Sequence, residues 1–312
     1  MNTLIIGGSG HVSGAVARAA LAQHHAVWTL TRGKRLVIPG VKALVADRHD
    51  PAAMAALIAG QSMTWDLVVD CIGFDVPDVR QDIALFRDRA GHLVFISTDF
   101  VYSPEHRTFP QPEDAVCWVE GMTGSADYGR RKRLCELELL NGDTGRMEWT
   151  IFRPCHIYGP TSELGCLPLH GRDPKLIDRL RKGEPLGLVG GGHFLQQPLY
   201  VDDLARTIIS AAGVRRACGA IFNVAGPDII ESRRYYRIVA DVLGVGLTIT
   251  DVPVSGYLKD HPDQAPFICH RINDLRRLQE AGLHVPGTPV MEGLRLHVEG
   301  LLARQRSLAG SL

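Results

Sequence analysis

The apolar run Leu4-Ile5-Ile6 is followed at once by Gly7-Gly8-Ser9-Gly10-His11-Val12-Ser13-Gly14. An alanine-rich stretch with helical spacing then runs from Val12 to Gln23. A strand that turns through glycines straight into a helix constrains the fold of this chain more than any other feature. The glycines permit a tight turn and a close backbone approach, and the helix behind them offers free N–H groups and the positive end of its dipole. Such a turn suits a pyrophosphate; with no ligand it would still be a turn that needs positive φ. Ser13 stands where a third glycine is usual and is small enough for close helix–strand packing.

The pattern behind this loop repeats. Val27–Leu30, Ala43–Ala46, Asp66–Asp70, His92–Ser97 and Trp149–Phe152 read as strands. Helical stretches separate them at Pro51–Ile58, Asp78–Arg89 and Asp127–Leu140, the first opened by an Asp50 cap with proline at the first helical position. Strands apolar on both faces and spaced by helices imply a parallel sheet covered on both sides, and right-handed crossovers make it doubly wound. The expected fold is α/β, a Rossmann sheet over residues 1–154 with a smaller substrate-binding region over 155–312. Glycine and proline cluster from Gly159 to Gly192. Helices are expected again at Asp202–Ala212, Glu231–Leu243, Asn273–Ala281 and Pro289–Ala303, with short strands near Ile221 and Thr248, partly returning to the sheet.

Composition removes several classes. Lys+Arg and Asp+Glu are 34 each, so the formal charge is zero, without the basic excess of a nucleic-acid protein. No apolar run reaches the roughly 18 residues that span a bilayer, and the start lacks a signal-peptide pattern. The seven cysteines form no C-x-x-C pair, and the expectation is free thiols in a reducing cytoplasm. Thirteen histidines include no H-E-x-x-H, so no metal is expected.

Two further places carry chemistry. After the second strand a site for NAD wants an acid to hold the ribose hydroxyls. The chain gives Thr31-Arg32-Gly33-Lys34-Arg35 instead. Arg32 can pair bidentately with a 2′-phosphate, so NADP is expected before NAD. Asp47-Arg48 would flank the adenine or form a surface ion pair. The fifth strand ends in Ser97-Thr98-Asp99-Phe100-Val101-Tyr102, and Tyr128-Gly129-Arg130-Arg131-Lys132 lies about one helix later. The i, i+4 spacing puts Tyr128 and Lys132 on one helix face. A neighbouring ammonium, with the positive nicotinamide, is expected to lower the phenol toward working pH, so that Tyr128 can move a proton while Thr98 hydrogen-bonds the substrate oxygen.

Together with Arg153-Pro154-Cys155-His156-Ile157-Tyr158-Gly159-Pro160, Tyr200-Val201-Asp202-Asp203-Leu204-Ala205 and Phe222-Asn223-Val224-Ala225-Gly226, these motifs resemble the extended short-chain dehydrogenases/reductases of the NAD-dependent epimerase/dehydratase family over nearly the whole chain. The resemblance implies catalytic roles for Thr98, Tyr128 and Lys132. The cofactor contacts expected are Gly7, Ser9, Gly10, His11, Val12, Arg32, Asp47, Arg48, Cys71, Ile72, Gly73, Lys132 and Pro154. The substrate contacts expected are Phe74, Phe100, His156 and Gln196. Family 4,6-dehydratases carry Asp-Glu after the strand-five threonine, whereas Asp99 is followed by Phe100. Many nucleotide-sugar epimerases carry arginine where this chain has Gln196, so nucleotide sugars are expected to bind weakly.

Thr98-Asp99-Phe100-Val101-Tyr102 looks more like the sugar 4-ketone reductase branch, and the Thr31–Lys34 turn resembles a branch with plastid RNA-binding relatives. The leading expectation is an NADP(H)-dependent ketone/alcohol oxidoreductase acting on a small or sugar-like molecule. An epimerase, and a non-catalytic dinucleotide-sensing or RNA-binding relative, remain as alternatives. The basic run Arg130–Arg133 reads as a helix face, Gly190-Gly191-Gly192 as a substrate loop or a plain turn, and Trp65 and Trp149 as packing residues. A small-molecule substrate is the expected partner, with a homodimer left open and neither membrane nor nucleic acid expected.

Overall fold

A computed structural model describes residues 1–114, 117–169 and 171–309. In chain order the elements are β1 (Asn2–Ile6), α1 (His11–Ala22), β2 (Ala26–Thr31), β3 (Lys42–Val45), α2 (Pro51–Ala59), β4 (Trp65–Asp70), α3 (Val76–Phe86), β5 (Ala90–Ile96), α4 (Gly124–Asn141) and β6 (Glu148–Pro154). Then come β7 (Ile157–Tyr158), α5 (Leu176–Arg181), β8 (Leu186–Val189), β9 (Leu195–Gln196), β10 (Leu199–Tyr200), α6 (Val201–Ser210), β11 (Ala220–Val224), β12 (Ile230–Glu231), α7 (Ser232–Leu243), β13 (Ile249–Val252), α8 (Val254–Asp260), α9 (Arg276–Glu280) and α10 (Val290–Ala309).

Seven strands form one parallel sheet in the order β11-β6-β5-β4-β1-β2-β3. Successive side chains of a strand point to opposite faces, and here both faces are apolar. Ile5, Leu67 and Val69 pack into one core with α1 and α6. Leu4, Ile6 and Val68 pack into the other with α2, α3 and α4. The sheet is doubly wound as the sequence implies, and its order reverses between β1 and β4. Ile6 there faces Leu30 on one side and Asp70 on the other. Ligands of such sheets bind beyond the strand C-termini at that reversal.

β11 comes from beyond residue 155 and pairs with β6, so the second half completes the sheet. The rest of that half has its own core, where Tyr158, Leu176, Leu186, Tyr235 and Leu294 are buried together. Local chemistry sets the element ends. Asp50 caps α2, its Oδ1 accepting from Ala53 N at 3.0 Å. α3 starts earlier than Asp78 because the Asp78 carboxylate accepts from Phe74 N at 2.8 Å and Asp75 N at 3.2 Å. α9 starts later than Asn273, whose backbone N–H is taken by Gln197 Oε1, while Asp274 Oδ1 accepts from Arg276 N. α5 and β8 lie inside the glycine- and proline-rich stretch and β7 just before it, which hides their short patterns in the sequence. Trp65 is buried edge-on against Trp28 at 4.9 Å between centroids, a packing role. Gly190, Gly191 and Gly192 make a plain left-handed turn whose neighbour His193 is held by Glu231 and Arg233.

Candidate active site

The glycine loop crosses the strand reversal. Gly7 and Gly8 sit at φ 106° and 146°, and a Cβ on Gly8 would overlap the Thr29 side chain of β2. Gly10 caps α1, and its N–H donates to Ser13 Oγ at 3.0 Å. Ser13 therefore ties the loop as well as packing small. Two cavities open here. One, of about 530 Å³, is bounded by the glycine loop, Thr31, Arg32, Lys34, Arg35 and Asp47. The other, of about 560 Å³, is bounded by Thr98, Phe100, Tyr128, Lys132, Pro154 and His156. Gly10, Ser13, Ile72 and Phe74 belong to both, so the two run together across the reversal. Their combined shape suits a dinucleotide, with basic residues at one end and the tyrosine at the other. Among the described residues Arg32 and Lys34 make no ion pair, and Arg35 donates to Ser9 O at 3.3 Å.

The expected residues His11, Val12, Cys71 and Ile72 line these cavities, and the Gly73 carbonyl accepts from Lys132 at 2.7 Å. Two expectations need correction. Arg48 borders the cavity, but its guanidinium turns inward and is buried among acids. It bonds Asp70 and Asp82 at 2.9 Å each and approaches Asp78 at 3.3 Å. A guanidinium held by three carboxylates is a structural cross-link, and only Asp47 of that pair faces the adenine end. Gln196 is fully buried in β9 and does not line the cleft. It pairs by backbone with Ile230, and both atoms of its amide are buried without a hydrogen-bond partner. The expectation of weak nucleotide-sugar binding thus loses the residue it rested on.

Three side chains of α4 form a stripe toward the sheet at i, i+4 and i+8: Tyr128, Lys132 and Glu136. The Tyr128 ring stands near Phe74 and Phe100, at 6.4 and 6.3 Å between centroids. Thr98 caps the short turn Asp99–Val101, its Oγ1 accepting from Phe100 N at 3.3 Å, and its hydroxyl acts on the Tyr128 phenol in the direction that favours the ionised form. Lys132 is buried, donates to the carbonyls of Gly73 and Ile96, and is lowered to about 8 by burial. Burial pushes the Tyr128 phenol up, and the cations that oppose this are Arg172 and Arg131. In this structure the Lys132 ammonium is turned to the two carbonyls, and the groups that shift the phenol most do not include it. A phenol protonated near neutrality suits a proton donor.

Sequence reasoning missed several residues. Glu136 is buried, bonding Arg153 through both oxygens at 2.8 and 2.7 Å, Ser97 Oγ at 2.6 Å and Arg133 at 2.8 Å. It ties the catalytic helix to β5 and β6. Gly129 brings α4 so close that a Cβ would collide with the Phe100 carbonyl. Its place directly after Tyr128 was the available signal. Arg172 and Phe267 line the cleft from the second half, together with Arg271, whose Nη1 donates to Asp99 Oδ2 at 2.6 Å. The basic run is a paired helix face, with Arg130 on Asp127, Arg131 on Asp75 and Asp127, and Arg133 on Glu136.

Burial holds two cleft histidines neutral, His11 at about 3 and His156 at about 4. Their folded pKa lies below the unfolded value of 6.5. The unfolded chain thus binds more protons between these values, and stability is lost as pH falls from 6.5 toward 4. His156→Gln should flatten that decline by about 2–3 kcal/mol, since one pKa unit is about 1.36 kcal/mol. Urea unfolding of both proteins at pH 7 and pH 4.5 checks it. An unchanged pH slope in the variant would remove His156 from this account.

All seven cysteines are free. Among the described residues no helix is long and apolar enough to cross a membrane. The model of the NAD dependent epimerase/dehydratase family matches residues 3–225. A chloroplast stem-loop binding protein of 41 kDa b from Arabidopsis thaliana is 26% identical over 242 residues, 73% of this chain and 59% of that protein. This chain thus spans less than two thirds of that relative's length. The 2′-dehydrokanamycin reductase of Streptomyces kanamyceticus is 25% identical over 286 residues, 86% of this chain and 74% of that one. The UDP-glucose 4-epimerase of Thermus thermophilus, solved in complex with NAD, shares the fold. Its TM-score is 0.73 at 20% identity, with 97% of this chain and 99% of that chain covered.

Proposed function

We propose that this chain, which belongs to the NAD dependent epimerase/dehydratase family and is an enzyme of the extended short-chain dehydrogenase/reductase type, is an NADP(H)-dependent ketone reductase. The observation that carries the reading is a single cleft with Thr98, Tyr128 and Lys132 at one end and three cations, Arg32, Lys34 and Arg35, at the other. The glycine loop and the first turn of α1 would hold the pyrophosphate, Arg32 the 2′-phosphate, and Lys132 the ribose next to the nicotinamide. Bound there, the nicotinamide supplies the hydride that the ketone carbon takes up. Thr98 and Tyr128 hold the carbonyl oxygen by hydrogen bonds, and Tyr128 delivers the proton that completes the alcohol. The rings of Phe74 and Phe100 flank the phenol. Residues 155–312 are read as the substrate-binding region, contributing His156, Arg172 and Arg271. The reductase relative supports this reading.

An epimerase would use the same residues without net consumption of the nucleotide. The likeness to epimerase structures favours that second reading as far as fold goes. A nucleotide that stays bound through purification while free NADPH is not consumed would select it. The RNA-binding alternative fits less well, because the cations of α4 are already paired with acids.

Cofactor choice has its own test. Arg32→Ala should weaken NADP binding by about 1.5–3 kcal/mol, the range for a hydrogen bond to a charged group, and leave NAD binding nearly unchanged. Calorimetry with both nucleotides decides it. Equal losses for the two, or tighter binding of NAD by the parent, would defeat the assignment.

A further inference from the structure

The cleft holds more positive charge than proton transfer requires. Among its described lining residues are three cations, Lys132, Arg172 and Arg271, and one acid, Asp99. Lys132 is committed to two carbonyls. Asp99 is shared by two buried guanidiniums, Arg271 at 2.6 Å and Arg107 at 3.3 Å. That trio carries one net positive charge under the cleft wall, and Arg271 Nε has no hydrogen-bond partner. The Phe100 ring lies 4.1 Å from the Arg271 guanidinium and closes it off from solvent on that side.

Arg172 lines the same cleft. Among the described residues it has neither an ion pair nor a hydrogen bond. Its backbone sits at φ 65°, left-handed and uncommon for a residue with a side chain; such positions cluster at ligand sites. Exposed to solvent at the cleft mouth, it lines the same cleft as His11, His156 and Tyr128, and its charge lowers the pKa of all three. Both histidines are neutral at neutral pH, which leaves Arg172 as the free charge there.

We propose that the substrate carries an anionic group, a carboxylate or a phosphate monoester, gripped by the planar fork of Arg172 in the field of the Arg107–Asp99–Arg271 cluster. This rests on the ketone-reductase reading and names its substrate class. A guanidinium matches either oxyanion with two parallel hydrogen bonds.

The test uses matched ketones with NADPH: acetoacetate against acetone, and dihydroxyacetone phosphate against dihydroxyacetone. The parent should prefer the charged member of at least one pair by about tenfold or more in kcat/KM, and the better pair tells carboxylate from phosphate. Arg172→Asn keeps a residue that tolerates left-handed φ. It should erase that preference, chiefly through KM, and leave NADPH affinity unchanged; Arg172→Lys should keep part of it. A binding arm is independent of turnover. Succinate or inorganic phosphate should bind the NADP-loaded parent and bind Arg172→Asn at least tenfold more weakly. Anion binding without reduction of any ketone would count against the reductase reading alone and leave this inference standing. No preference for the charged ketones together with no anion binding would overturn it. So would a loss of NADPH affinity in Arg172→Asn, which would assign Arg172 to the cofactor.

Discussion

Tyr128→Phe should lower turnover by about 10²–10⁴-fold, the usual worth of a positioned general acid, with NADP affinity nearly unchanged. The substitution removes one hydroxyl and keeps the ring between Phe74 and Phe100, so the fold should survive. Burial pushes the phenol up and so keeps it protonated, which readies it to donate to a ketone oxygen. Steady-state rates on a reduced substrate, with calorimetry for the nucleotide, measure both quantities. Near-parent turnover in the variant would mean that another acid, or none, completes the reaction.

The second large effect concerns stability. Glu136→Leu should cost about 3–5 kcal/mol, because it leaves Arg153 buried without its counter-charge. Arg153 is inaccessible to solvent and gives one hydrogen bond to the second Glu136 oxygen and two to other groups, the Tyr102 hydroxyl and the Glu113 carbonyl. Its remaining contact, Nε to the first Glu136 oxygen at 2.8 Å, completes the fork. Replacing both partners, Glu136→Leu with Arg153→Met, should recover much of the loss, since a buried pair exchanged for apolar side chains is often nearly neutral. Urea midpoints of the single and double variants decide it. A single-variant loss under about 1 kcal/mol would show that the pair does not hold α4 to the sheet.

The first half of the fold is legible in the sequence because two periods alternate there with punctuation between them: apolar strands, helices of about three turns, and the Asp50-Pro51 start. The catalytic stripe is partly legible. Tyr128 and Lys132 announce themselves by spacing, while Glu136 continues the same stripe but reads as one more charge on a charged helix. Arg48 misleads because an arginine next to a strand end looks the same whether it faces a ligand or three aspartates. Its acids, Asp70, Asp78 and Asp82, are more than 20 residues away in the chain. Gln196 misleads for the opposite reason: its position in a motif is clear, but its burial depends on β9 pairing with β12, two-residue strands with no periodic signal. Arg172 and Arg271 sit in stretches without regular period, and only the folded chain brings them to the phenol.

Net transfer of hydrogen to a ketone carbon is the reaction proposed for this cleft. Incubation with NADPH deuterated at the nicotinamide C4, followed by mass spectrometry of the recovered alcohol, tests that directly. The expected result is one deuterium on the carbinol carbon for each NADP formed, lost in parallel in Tyr128→Phe. A substrate that inverts at one carbon with no deuterium gained and no NADP released would contradict it.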